Sequence, residues 1–191
     1  MKVVRIPLRR ALRAYRRGRD GAAAVETALM LPILLVPLLN AIDLGSYAFQ
    51  RMQVENAAVI GSEEARSFCN SPTKLPATTT CTGFSSAETS AIQSTSLGTN
   101  VSAVSGYPKE GYYCTLTDGT IQLVASVPTA PLASCSSYTA PSGKAWSAPS
   151  AIPSDFIQIR VNYTYTPSFG SVSLASLLPG TITATTWSRL Q

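Results

Sequence analysis

Residues 22–42 read AAAVETALMLPILLVPLLNAI, and in this run Glu26 alone can carry a charge. A charged side chain in an apolar helix costs about 2.5–3.5 kcal/mol at a bilayer centre and less near its surface. Glu26 therefore calls for a partner. Gly21 directly precedes the run. Glycine lets a peptidase draw extended backbone close at the membrane face, and a cut between Gly21 and Ala22 would make Glu26 the fifth residue of the shortened chain. The new α-amine of a neighbouring subunit could then offset the buried carboxylate and set the axial register between subunits. A secretory signal peptide places its cut after the apolar stretch, within small residues. Here no A-x-A-like site follows, so this cut would remove only what precedes the run and leave the span in place.

The other chemistry-bearing residues are Cys69, Cys81, Cys114 and Cys135, all beyond the apolar run. An even number of cysteines in an oxidising compartment favours two disulfides. Intervals of 11, 32 and 20 residues, in a chain without histidine, do not resemble a zinc site. Sequence neighbours suggest Cys69–Cys81 and Cys114–Cys135, although four cysteines allow three pairings. A chain without histidine also lacks the usual general base and the Ser-His and Cys-His nucleophile pairs. No G-x-S-x-G occurs. A Ser-Lys hydrolase would have to use Lys74, Lys109 or Lys144, which lie in loop-like sequence. No catalytic residue, cofactor or metal is expected.

Charge orients the span. Eight of the 15 basic residues (Lys2, Arg5, Arg9, Arg10, Arg13, Arg16, Arg17 and Arg19) precede the apolar run, and from Ala22 onward seven bases meet nine acids. A nucleic-acid binder would carry its basic patch on a folded domain. A basic arm beside an apolar run instead follows the positive-inside pattern, with the N-terminus cytoplasmic and the remainder periplasmic or outside. The arm could also attract anionic lipid.

These residues need a scaffold. Twenty-one residues at about 1.5 Å each span roughly 30 Å, the thickness of a bilayer's hydrocarbon core. Pro32 and Pro37 would break a soluble helix, but in lipid the backbone has no other partner and a kinked helix survives. Past the span, Val54, Ala57, Ala58, Gly61, Ala65 and Phe68 recur every three or four residues, so one helix is predicted over about 22–68 with a small-residue face. Residues 70–82 read as a loop, and 86–97 as a short helix. Strands are predicted at 112–116, at 120–127 with Ile121, Leu123, Ala125 and Val127 on one face, at 156–165 and at 181–187. Residues 128–153, rich in proline and serine, read as a long exposed loop whose Tyr138 and Trp146 could touch a partner. The fold class is α+β: a long N-terminal helix, membrane-spanning in its first half, packed on a small antiparallel sheet. The division is a leader at 1–21, a transmembrane helix at 22–45, its continuation at 46–68 and an α+β domain with disulfides at 69–191.

Gly21-Ala22-Ala-Ala-Val25-Glu26 followed by an apolar helix resembles the processing site of type IV pilin-like proteins. GAAAVETALMLPILLVPLL, then Asp43-Leu44-Gly45, then Gln53-Val-Glu-Asn56-Ala57-Ala58 and Gly61, resembles the TadE family of minor pseudopilins. The closing strand 157–165, Pro167 and a β-rich end reaching Arg189 are similar too. Ser46, and Ser62-Glu63 after Gly61, depart from the family pattern. The resemblance implies a subunit of a tight-adherence (Flp) pilus system in a bacterial inner membrane. It implies maturation by a prepilin peptidase, with Gly21 before the cut, Ala22 as new N-terminus and Glu26 as the assembly carboxylate. The implied partners are other pilins and the pilus assembly machinery, in adhesion and biofilm formation. The competing reading is an uncleaved, signal-anchored binding module or adhesin.

Overall fold

The computed structural model describes residues 20–131 and 133–190. The basic leader, apart from its last two residues, lies outside the described residues.

Helix α1 runs unbroken over Asp20–Phe68, 49 residues, with Pro32 and Pro37 inside it. At 1.5 Å per residue it is about 74 Å long. Its first half exposes Val25, Leu29, Ile33, Leu34 and Leu38. A helix apolar all round belongs in lipid rather than in water, and among the described residues this is the one helix long and apolar enough to cross a membrane. From Asn40 onward one side becomes buried: Asn40, Asp43, Val54, Ala57, Ala58, Gly61, Ser62 and Ala65 are covered, with Tyr47 and Phe68 packed at the margin. The small-residue stripe read from sequence is thus the face that meets the sheet. The packing there is close but not tight: a Cβ added at Gly61 would meet Ile159 Cγ2 at 3.5 Å and Ile92 Cγ1 at 3.8 Å, ordinary contact distances. At the far end Lys74 Nζ donates to Phe68 O at 2.9 Å, a cation satisfying an open helix carbonyl, and Cys69 is bonded to Cys81.

Two short helices follow, α2 (Ala77–Thr80) and α3 (Phe84–Ile92). The stretch expected as a loop at 70–82 therefore holds a helical turn at Pro72–Lys74 as well as α2, because Ser71 caps the first and Glu110 binds the N-terminal amides of the second. The short helix predicted at 86–97 begins two residues earlier and ends at Ile92.

The sheet has five antiparallel strands: β1 (Val101–Ala103), β2 (Lys109–Thr115), β3 (Ile121–Ser126), β4 (Ser154–Thr164) and β5 (Thr181–Arg189). β4 is central. β5 pairs along it from Phe156 to Thr164, while β1 and β2 share its other side and β3 extends from β2. Alternation explains β4: Ile157, Ile159 and Val161 are fully buried beneath α1, whereas Arg160 and Thr164 are exposed. Each such side chain contributes about 1.5–3 kcal/mol of burial.

Two expectations need correction. β3 does not bury one clean face: Leu123 is exposed, because β3 is the edge strand and a register shift at Tyr112/Tyr113 turns it. Tyr138 and Trp146 are half-buried rather than exposed. Trp146 Nε1 donates to Tyr138 O at 3.0 Å within the 128–153 loop, and Trp146 bridges to Leu116, just past the end of β2. The same loop is held by the Cys114–Cys135 disulfide.

Candidate functional site

The start of α1 carries the sequence-predicted site. Gly21 and Glu26 are exposed, and nothing lies within 4 Å of a Cβ built on Gly21. The backbone there is helical from Asp20. Ala22 and Glu26 are four residues apart, hence on one face and one turn apart. Glu26 borders a shallow depression with Ala23, Thr27, Met30, Leu31 and Leu34. A carboxylate in that setting is accessible from the side along an otherwise apolar helix.

The second site is a clasp at the other end of the span, which sequence reasoning did not single out. Asp43, with no solvent exposure, accepts hydrogen bonds from Ser168 N (Oδ1, 3.1 Å) and Phe169 N (Oδ2, 3.3 Å), and its carbonyl accepts from Tyr165 Oη at 3.1 Å. Tyr165 packs edge-on against Tyr47, ring centroids 4.9 Å apart. One turn earlier Asn40 Oδ1 accepts from Leu174 N at 2.5 Å, and its Nδ2 donates to Val36 O at 2.8 Å. Two polar residues thus satisfy backbone amides of the segment between β4 and β5, at the point where the helix leaves its apolar run. The available signal was Asn and Asp three apart, in phase with Tyr47 and Val54 on the buried face. Their partners lie more than 120 residues away, so the contact itself was not readable.

Three further carboxyls are buried inside the domain. Glu110 accepts from Ala77 N (2.6 Å), Thr78 N (2.7 Å) and Thr78 Oγ1 (2.5 Å). Asp155, 3% exposed, has no hydrogen-bond partner on either oxygen. Since Glu110 pairs with Ile157 in the β2–β4 register, Asp155 is its diagonal neighbour on the same face. Burial, and then the charge of neighbouring Glu110, push Asp155 up to about 7. Glu88 on α3 has Oε1 unpartnered and is likewise raised to about 7, by burial. Glu88 and Asp155 are favoured protonated in the fold, and no three of His, Cys, Asp or Glu gather as a metal site among the described residues. Both disulfides join cysteines near in sequence, Cys69–Cys81 and Cys114–Cys135. Lys144 pairs with Asp118 at 2.8 Å and Lys74 caps α1.

An apolar helix long enough to cross a bilayer, continuing as the spine of a disulfide-bonded α+β domain, fits a single-pass membrane protein. Residues 21–62, from the glycine before the apolar run to the buried stripe beneath the sheet, match the TadE-like protein family. No curated protein and no solved structure matches the chain.

Proposed function

We propose that this protein is a minor pseudopilin of a tight-adherence pilus system, cut by a prepilin peptidase after Gly21 and serving in pilus assembly, adhesion and biofilm formation. The observation that carries the reading is that the TadE-like match begins at Gly21 itself, with an exposed carboxylate at the fifth position beyond it. The basic leader holds the N-terminus in the cytoplasm, where the peptidase removes it. The cut frees the α-amine of Ala22 and leaves α1 in the membrane. Glu26 then meets the new amine of a neighbouring subunit, which relieves the carboxylate in lipid and fixes the axial offset between chains. The domain beyond Phe68 acts by contact, and the protein is not an enzyme.

The test is the N-terminal mass of the full chain expressed with and without its cognate prepilin peptidase. Loss of residues 1–21 only when the peptidase is present is the expected result. An intact Met1 in both cultures would overturn the reading in favour of an uncleaved anchor.

A further inference from the structure

The segment between β4 and β5 is fastened to α1 at the end of the span, and its outer side is apolar. Val172 is 73% exposed, Leu174 58% and Leu177 82%. Such exposure of three large aliphatic side chains within six residues calls for a cover. The segment is also free of charge: between Arg160 and Arg189 no Asp, Glu, Lys or Arg occurs. On α1 the only Asp, Glu, Lys or Arg between Glu26 and Arg51 is Asp43, and it is buried under the segment's own amides.

The height of this patch follows from its tether. Leu174 N is bonded to Asn40 and Ser168 N to Asp43. If the hydrocarbon span begins at Ala22, its roughly 30 Å ends near Ile42, so Leu174 is held about 3 Å inside that end. The apolar surface does not stop there. Ile42, Leu44, Phe49 and Met52 are exposed on α1, beside and beyond the clasp. About 42 Å of helix separates Ala22 from Gln50, which matches a bilayer with its headgroup layers. The patch is therefore continuous with the lipid-facing surface of the span, at the boundary between acyl chains and headgroups.

We infer that the 168–178 segment is a second membrane contact, inserting Val172, Leu174 and Leu177 into the leaflet at the C-terminal end of the span. The occupant is lipid rather than another protein, because the tether puts these side chains at bilayer depth in the isolated chain. Together with α1 the segment gives the domain two footholds, so that the domain is seated on the membrane and not free to turn about the helix axis. This goes beyond the pseudopilin reading and does not depend on cleavage.

The test uses the full chain with its disulfides intact, which leaves an introduced cysteine as the sole thiol. Leu177→Cys and, as a control on the distant 128–153 loop, Ser142→Cys are spin-labelled without reductant. Each is reconstituted at one chain per nanodisc of phosphatidylcholine and phosphatidylglycerol. Collision rates are read with oxygen, which partitions into lipid, and with a water-soluble nickel chelate. The expected oxygen-to-nickel ratio at position 177 is several-fold above that at position 142. Equal ratios would overturn the inference, as would a label at 177 shielded from both reagents, the signature of a protein-covered site. Because Leu177 is the most exposed of the three, its replacement leaves the packed residues in place, and a near-ultraviolet dichroism spectrum unchanged from wild type verifies the fold.

Discussion

Asp155→Asn should make the domain more stable at pH 8, with only about a quarter of that gain at pH 4.5. Asp155 is buried on β4 with both oxygens unpartnered, next to a Glu110 whose carboxylate is bound by three donors. The fold raises its pKa from 3.8 to about 7, so the folded state binds a proton more tightly than the unfolded one. Stability from this group is then full below pH 4 and declines as pH rises through 7. A tenfold change in proton affinity is worth about 1.4 kcal/mol, which puts a ceiling of about 4 kcal/mol on the loss at pH 8. Asp155 borders a surface cavity of about 410 Å³ with Tyr112, Ile152, Pro153 and Arg189, and solvent screening there reduces the effect to roughly 1–2 kcal/mol. Asn has nearly the same shape, carries no charge and can donate to Glu110. Glu88 titrates in the same direction in both proteins and cancels in the comparison. Asp118, whose pKa Lys144 and Thr120 hold low, is ionised across the whole window. The assay is urea unfolding in detergent micelles, followed by tryptophan fluorescence from Trp146 and Trp187, between pH 4.5 and 8. Wild-type stability rising over that range, or no gain for the Asn variant at pH 8, would refute the argument.

Four other outcomes follow from the same geometry. Gly21→Val should retain the full-length mass in cells containing the peptidase while leaving the dichroism spectrum unchanged, since nothing surrounds that position; normal processing would count against Gly21 as the residue before the cut. Gly61→Ala should stabilise by up to about 1 kcal/mol through helix propensity, because its Cβ meets Ile159 and Ile92 at ordinary contact distance; a fall in Tm would show the stripe to be tighter than described. Replacing both Cys114 and Cys135 by Ala should cost about 3 kcal/mol in urea unfolding, the loop-closure value for a step of 21 residues. Asn40→Ala should remove the hydrogen bond from Leu174 N to α1, worth about 1 kcal/mol, and speed proteolysis within 168–178; an unchanged cleavage rate would mean that Asp43 alone holds the segment.

Patterns that repeat along the chain were legible in the sequence, and contacts that depend on register were not. The span, the stripe from Val54 to Phe68 and the alternation of Ile157, Ile159 and Val161 each express a local period, and the structure carries all three. The short disulfide loops were favoured by nearness alone, and both form. β1 is three residues long and offers no period to read. Glu110 and Asp155 meet only because β2 and β4 pair in one register. Tyr138 and Trp146 looked exposed because their sequence is polar, yet a backbone carbonyl receives the indole N–H. The clasp was least visible, since Asn40 and Asp43 bind main-chain amides, which leave no residue signature in the partner segment.

The clasp also bears on where Glu26 can act. α1 is continuous from Asp20 to Phe68; the segment bound at Asn40 and Asp43 ties the sheet to the helix before Gly45, and Tyr47 and the buried stripe from Val54 tie it beyond. The helix therefore cannot swivel between span and domain without breaking those bonds, and the azimuth of Glu26 is fixed relative to the sheet. Successive residues of an α-helix step round by about 100°, so over the 17 residues from Glu26 to Asp43 the two side chains end about 100° apart in an unkinked helix. By the same step Asn40 lies about 40° round from Glu26, so Glu26 points along the margin of the clasp, between it and the open flank of the helix. A neighbour that engages Glu26 then approaches the flank of α1, where Arg51, Glu55 and Met52 are exposed. Lengthening the helix by one residue between Glu26 and Asn40 would turn Glu26 by about 100° without touching the clasp. Assembly should fail in that variant while the domain's Tm stays as in wild type, and retained assembly would show that the direction of Glu26 is not set by the fold.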